Sequence, residues 1–124
     1  ETVTVQSAVH VRGKSAKPVL QGLAGSLAKG KTRAAWGHAE GKVPGTVVKV
    51  YIKPTGAKTY RLAGKATCRW GDGLWVVHSA KIQPGQLYAV SESPYLTTEK
   101  SPIFKGKKAK FAKKLPNFPE IAVG

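Results

Sequence analysis

Residues 70–77 of this 124-residue chain read WGDGLWVV, two of its three tryptophans set around a Gly-Asp-Gly step. An Asp side chain can accept a hydrogen bond from the backbone two residues on, and Gly takes the positive φ of a tight turn at no steric cost, so Asp72 and Gly73 predict a turn. Leu74, Trp75, Val76 and Val77 are the bulky and β-branched types that suit a pleated surface. The stretch is read as the turn of a hairpin, with Trp75 filling a core behind it and Trp70 left at the surface. A pair of tryptophans gripping a ligand is the reading that the turn displaces.

Outward from this stretch the same pattern recurs. Upstream, residues 46–52, TVVKVYI, set Val48, Val50 and Ile52 in alternation with Val47, Lys49 and Tyr51, the clearest period of two in the chain. Residues 58–70 bring Tyr60, Leu62, Gly64 and Ala66 onto one side of a further strand. Downstream, a turn at Gln83, Pro84 and Gly85 leads into QLYAVSES. Residues 3–11 also alternate and predict an extended N-terminal strand. Between them, Gly22 and Gly25 would each cost about 1 kcal/mol in a helix, so residues 13–33 are read as short strand and turn. Turn signals at roughly eight- to twelve-residue spacing fit an antiparallel sandwich or barrel.

The length is that of one domain with one core, and 41% hydrophobic residues suffice to build it. The surface is another matter. Lys and Arg number 21 against 6 Asp and Glu, a formal net charge of +15. Such an excess attracts polyanions: nucleic acid, an acidic protein surface, a charged polysaccharide or a lipid face. Lys outnumbers Arg seventeen to four. An ammonium is a point charge without Arg's bidentate fork, which favours diffuse attraction over base reading.

Beyond Pro94, Pro102, Pro116 and Pro119 interrupt any long element, and residues 104–114, FKGKKAKFAKK, carry six lysines. The expected organisation is a sandwich over residues 1–94 and an extended basic arm over 95–124, ordered against a partner. No window approaches the roughly 18 apolar residues of a membrane-spanning helix, and ETVTVQSAVHV lacks the layout of a signal peptide, so a soluble, unanchored chain is expected. With no Met, even at position 1, the numbering is expected to begin after a removed segment. Cys68 is alone, so neither an intrachain disulfide nor a thiolate zinc cluster can form, and its expected role is that of a small buried residue.

Catalytic chemistry finds little to work with. Glu40, Glu92 and Glu99 are scattered rather than paired, and His10, His38 and His78 show neither an HxH nor an HExxH spacing. Residues 25–32, GSLAKGKT, satisfy the bare phosphate-loop pattern, but Gly37 and a turn-rich sequel follow where the helix should open, so the match is read as accidental. No catalytic residue, cofactor or metal is expected.

Three segments carry a resemblance to known families. Gly37-His38-Ala39-Glu40-Gly41 followed by Pro44-Gly45-Thr46-Val47-Val48-Lys49-Val50-Tyr51 resembles a strand pair of bacterial immunoglobulin-like modules. Gly64-Lys65-Ala66-Thr67 followed by Asp72-Gly73-Leu74-Trp75 is similar to their next hairpin. Ile82-Gln83-Pro84-Gly85-Gln86-Leu87-Tyr88-Ala89-Val90 resembles a corner of fibronectin type III domains. The resemblance covers about residues 30–92. It implies an all-β, antiparallel immunoglobulin-like sandwich with an inward Trp75 and with the Tyr88 hydroxyl bonded back to the backbone before its strand. The lysine-rich surface and tail depart from the pattern.

Such modules occur on bacterial cell surfaces and as decoration or cementing proteins on phage capsids. The resemblance therefore implies a non-enzymatic assembly module at the extracellular or virion surface, part of a homo- or hetero-oligomer. Its expected contacts with an anionic partner are Lys100, Lys105, Lys107, Lys108, Lys110, Lys113 and Lys114 on the arm and Lys14, Lys17, Lys29, Lys31 and Arg33 in loops. The alternative is a nucleic-acid-binding β-barrel, a ribosomal or packaging component, with Trp36, Tyr51, Tyr60, Trp70 and Trp75 stacking bases above a cationic groove.

Overall fold

A computed structural model describes residues 15–39, 45–94 and 96–118. The predicted strand at residues 3–11 lies outside them, as do Lys14, His10 and Glu40. Among the described residues the chain forms nine strands: β1 (Pro18–Ala24), β2 (Arg33–Ala39), β3 (Val47–Pro54), β4 (Arg61–Thr67), β5 (Leu74–Ser79), β6 (Gly85–Glu92), β7 (Glu99–Lys100), β8 (Phe104–Gly106) and β9 (Phe111–Ala112). One sheet has the order β5-β2-β1-β9; the second runs β4-β3-β6-β7, with β8 also on β6. The pairings are antiparallel except that of β1 with β9. No helix among these residues is long and apolar enough to cross a membrane.

Both sheets contribute to one core. Val48, Val50 and Ile52 of β3 are fully buried with Leu87 and Ala89 of β6, and they meet Leu20, Leu23, Ala35, Trp75 and Val77 of the other sheet. Each large aliphatic side chain removed from water contributes about 1.5–3 kcal/mol, so this seam dominates the stability of the fold. Trp75 pairs with Gly37, where a Cβ would stand 2.8 Å from the indole and collide with the Val19 carbonyl oxygen. The indole occupies the room that the missing side chain leaves.

The turn at residues 70–73 differs from the hairpin expected there. β4 pairs with β3 and β5 with β2, so the turn carries the chain from one sheet to the other instead of joining neighbours. It is closed by its own backbone: Arg69 N–H donates to the Leu74 carbonyl at 2.7 Å, and Gly73 N–H to that of Arg69 at 3.0 Å. Gly73, at φ 76°, also accepts from Ala39 N–H at 3.0 Å, and a Cβ would run into the Ala39 carbonyl.

A second difference lies in β4. Its register with β3 shifts where Val50 faces Gly64 but Tyr51 faces Leu62, leaving Ala63 as an extra residue. This bulge turns Ala63 into the core and leaves Leu62 43% exposed, so the face predicted from Tyr60, Leu62, Gly64 and Ala66 is split between inside and outside.

Residues 99–112, expected within an extended arm, are instead built into both sheets. β7 and β8 pair with β6, β9 pairs with β1, and Gly25 N–H donates to the Ala112 carbonyl at 2.8 Å. Phe104 and Phe111 pack on the core. Between them Gly106 is buried, and a Cβ there would come within 2.7 Å of Leu87 and 3.0 Å of Leu23. The segment crosses from one sheet to the other at a point too narrow for a side chain.

Candidate polyanion-binding face

The alternation that sends Val48, Val50 and Ile52 inward sends Lys49, Tyr51 and Lys53 outward. Register then assembles their neighbours. Lys49 lies between Lys65 of β4 and Val90 of β6, Tyr51 stands opposite Tyr88, and Lys53 stands opposite Gln86; Lys100 pairs with Val90 and Lys105 with Gln86. Directly paired residues project to the same side of a sheet, so these side chains share one outer face.

Its centre is aromatic. Tyr51 and Tyr88 stack with centroids 5.3 Å apart and planes 15° from parallel, and Tyr60 meets Tyr88 edge-on at 4.8 Å. The Tyr60 hydroxyl donates to Gln86 Oε1 at 3.0 Å. Lys100 Nζ lies 5.1 Å from the Tyr88 ring centroid and Lys53 Nζ 5.3 Å from that of Tyr60, so the rings hold ammonium groups in place without neutralising them. Glu92 pairs with Lys49 at 3.2 Å. Among the described residues no carboxylate forms an ion pair with Lys53, Lys65, Lys100 or Lys105. The result is a surface of fixed positive charge and phenol hydroxyls, suited to oxyanions. The strand order β3-β6-β7 puts Tyr51 to one side of Tyr88 and Lys100 to the other.

The lysines singled out in the sequence do not converge on this face. Lys100 and Lys105 border it. Lys107, Lys108 and Lys110 are exposed at the edge, where Lys110 Nζ lies 5.7 Å from the Phe104 ring centroid. Lys113 and Lys114 line a separate cleft of about 160 Å³ with Thr32 and His78, and Lys29 and Lys31 stand on the exposed loop before β2. Arg33 is buried, and its guanidinium is engaged by backbone carbonyls. Its Nε donates to the Ser26 carbonyl at 2.8 Å, Nη1 to those of Ile82 at 2.9 Å and Ala80 at 3.2 Å, and Nη2 to that of Ala28 at 3.2 Å. It clamps two loops together.

The aromatic residues are sorted in the same way. Trp75 is core, Trp70 is 63% exposed at the inter-sheet turn, and Trp36 lies over Gly22 with Phe118 edge-on at 5.1 Å. Tyr88, cast by the resemblance as a corner tyrosine, points to the outer face, since its neighbours Leu87 and Ala89 fill the core. Cys68 is half-buried beside the core, and burial pushes its thiol up to about 11, away from nucleophilic use. The turn carboxylate of Asp72 accepts from Leu74 N–H at 3.0 Å and from Arg69 Nε and Nη2 at 3.1 and 2.6 Å.

Lys49, Lys53 and Lys65 were not among the residues marked for binding. The signal was present in β3, whose outward positions read Lys, Tyr, Lys. Fold and face together define an all-β protein of two packed sheets with a tyrosine-backed cationic surface. Comparison with known protein families, with curated proteins and with solved structures finds no match.

Proposed function

We propose that the chain is an immunoglobulin-like β-sandwich that attaches, without catalysis, to an anionic surface in a larger assembly. The observation that carries the reading is the array of Lys53, Lys65, Lys100 and Lys105 around Tyr51, Tyr60 and Tyr88. Strand order supports the fold part. In immunoglobulin domains the first, second and fifth strands adjoin in one sheet and the third, sixth and seventh in the other, as β1, β2, β5 and β3, β6, β7 do here. β4 lies beside β3, and β8 and β9 have no counterpart in that scheme. Virion shells and bacterial cell surfaces, where modules of similar sequence pattern occur, are anionic settings that suit such a face, with the protein one member of an oligomeric assembly.

A single exposed charge pair contributes only about 0.2–1 kcal/mol, so the test replaces the array as a group. Wild type, K53Q/K65Q/K100Q/K105Q and K108Q/K110Q/K113Q/K114Q are titrated with polyglutamate, heparin and single-stranded DNA over a range of salt. The face variant is expected to lose most of the affinity and the tail variant to keep it. Binding that follows the tail lysines alone would overturn the reading. A preference for single-stranded DNA over an abasic chain of equal length would replace it with the nucleic-acid alternative, because base stacking is then part of the affinity.

A further inference from the structure

Where the outer face ends, Lys53, Lys105 and Lys107 border an open cleft of about 410 Å³ whose lining includes no acidic residue. Its rims are fixed by backbone bonds: Thr55 N–H donates to the Pro84 carbonyl at 3.1 Å, Ala57 N–H to that of Pro54 at 2.8 Å, and Lys107 N–H to that of Lys105 at 3.1 Å. Between the rims, Gly85 and Gly106 pair in register, and neither has room for a Cβ. Lys105 and Lys107 flank the buried Gly106, are exposed, and both line the cleft.

The volume lies in the range of small-molecule sites, roughly 300–1,000 Å³, and exceeds what a bare inorganic anion fills. Two neutral groups complete the chemistry. Gln86 Oε1 is taken by Tyr60, which leaves the amide NH₂ to donate, and the Thr55 hydroxyl donates to the Pro84 carbonyl at 3.3 Å, which leaves its oxygen to accept. Three ammonium groups suit a phosphate dianion, and the amide and hydroxyl suit the hydroxyls of the body that bears it. We propose that this cleft binds a phosphorylated sugar unit, its phosphate on Lys53, Lys105 and Lys107 and its hydroxyls toward Gln86 and Thr55. This rests on the reading of the adjoining face as a polyanion surface, with Lys53 and Lys105 common to both, and makes the cleft the place where that surface selects its partner.

The test is a titration of backbone amide resonances with glucose 6-phosphate, inorganic phosphate, glucose and glucuronate, using wild type, K105Q/K107Q and K113Q/K114Q. The replaced lysines are on the surface, and the amide spectrum itself reports that each variant is folded. Glucose 6-phosphate is expected to bind saturably with Kd of about 1 mM or tighter, moving the amides of Gly56, Gly85, Gln86 and Gly106. K105Q/K107Q should weaken it about tenfold or more, and K113Q/K114Q, which removes the same charge from a separate cleft, should leave it unchanged. Non-saturable shifts, equal affinity for inorganic phosphate, or indifference to K105Q/K107Q would each overturn the proposal. If the polymers bind and the sugar phosphate does not, this inference falls and the proposed function stands; the reverse result removes the function and leaves the cleft.

Discussion

Replacing Asp72 by Asn tests the turn that passes the chain between the sheets. The substitution keeps volume and an acceptor for Leu74 N–H but removes the charge that Arg69 grips. The Arg69 hydrogen bonds, with help from the Leu74 N–H, hold the Asp72 carboxyl at about 2 against an ordinary 3.8. At about 1.4 kcal/mol per pKa unit, that difference corresponds to roughly 2.5 kcal/mol. Both side chains are about a third exposed, at 31% and 34%, and solvent screening reduces the contribution to about 1 kcal/mol. The folded-state pKa lies below the unfolded one, so the stabilisation is whole above about pH 4 and drains away as pH falls toward 2. Urea unfolding of wild type and D72N from pH 7 to 2 should show the variant about 1 kcal/mol weaker at neutrality, with the gap closing between pH 4 and 2. Equal stability at pH 7, or a gap that persists undiminished at pH 2, would refute the reasoning.

Other substitutions probe the core, the clamp and the face. G37A puts a methyl against Trp75 and the Val19 carbonyl and is expected to cost about 3 kcal/mol or more, read as a large fall in thermal midpoint. R33K strips most of the bonds to the Ser26, Ala28, Ala80 and Ile82 carbonyls; it should lose about 2–3 kcal/mol in denaturant unfolding while leaving polyanion affinity intact. Cys68, with its thiol pushed up to about 11, should react with iodoacetamide at pH 8 about a hundredfold more slowly than a free thiol, and labelling at the free rate in the folded protein would contradict its burial. Y88A removes two ring contacts and the seat of Lys100, so it should cost about 1–2 kcal/mol and weaken polyanion binding, both measurable on one preparation.

Much of the sandwich was legible because its strongest signals are local. Val48, Val50 and Ile52 alternate in the sequence and are inward in the fold, and Asp72-Gly73 is a turn in both. Which strands that turn joins is a long-range fact: Trp75 follows the turn into the sheet where Gly37 leaves room for it, and nothing between residues 70 and 77 announces Gly37. The bulge at Ala63 was equally hidden, since one extra residue against β3 changes no residue type. Arg33 and the tail show a different limit. A positive charge in a basic loop reads as solvent-facing, yet the four carbonyls that bury Arg33 come from loops as far away as Ile82. In residues 104–111 the lysines drew attention, whereas Phe104, Gly106 and Phe111 are what dock the segment. The binding face was half visible. Lys49, Tyr51 and Lys53 share a side by simple alternation, but only register adds Tyr88, Lys65 and Lys100.

The joining of residues 15–24 to segments far along the chain sets a timetable for synthesis. Ser91 Oγ donates to the Ala16 carbonyl, Ser93 N–H donates to Ser15 Oγ at 2.9 Å, and β9 completes the edge of β1 at Leu23 and Ala24. At roughly 5–20 residues per second, a nascent chain that has made Ala24 waits on the order of 4–18 s for Ala112 to be translated. Until then β1 lacks its outer neighbour, and contacts of such high sequence separation close slowly even once all parts exist. The unfinished edge is a template for pairing with other nascent chains. The strand that finally covers it arrives flanked by Lys110, Lys113 and Lys114, so the finished edge carries mutually repelling charge and resists aggregation.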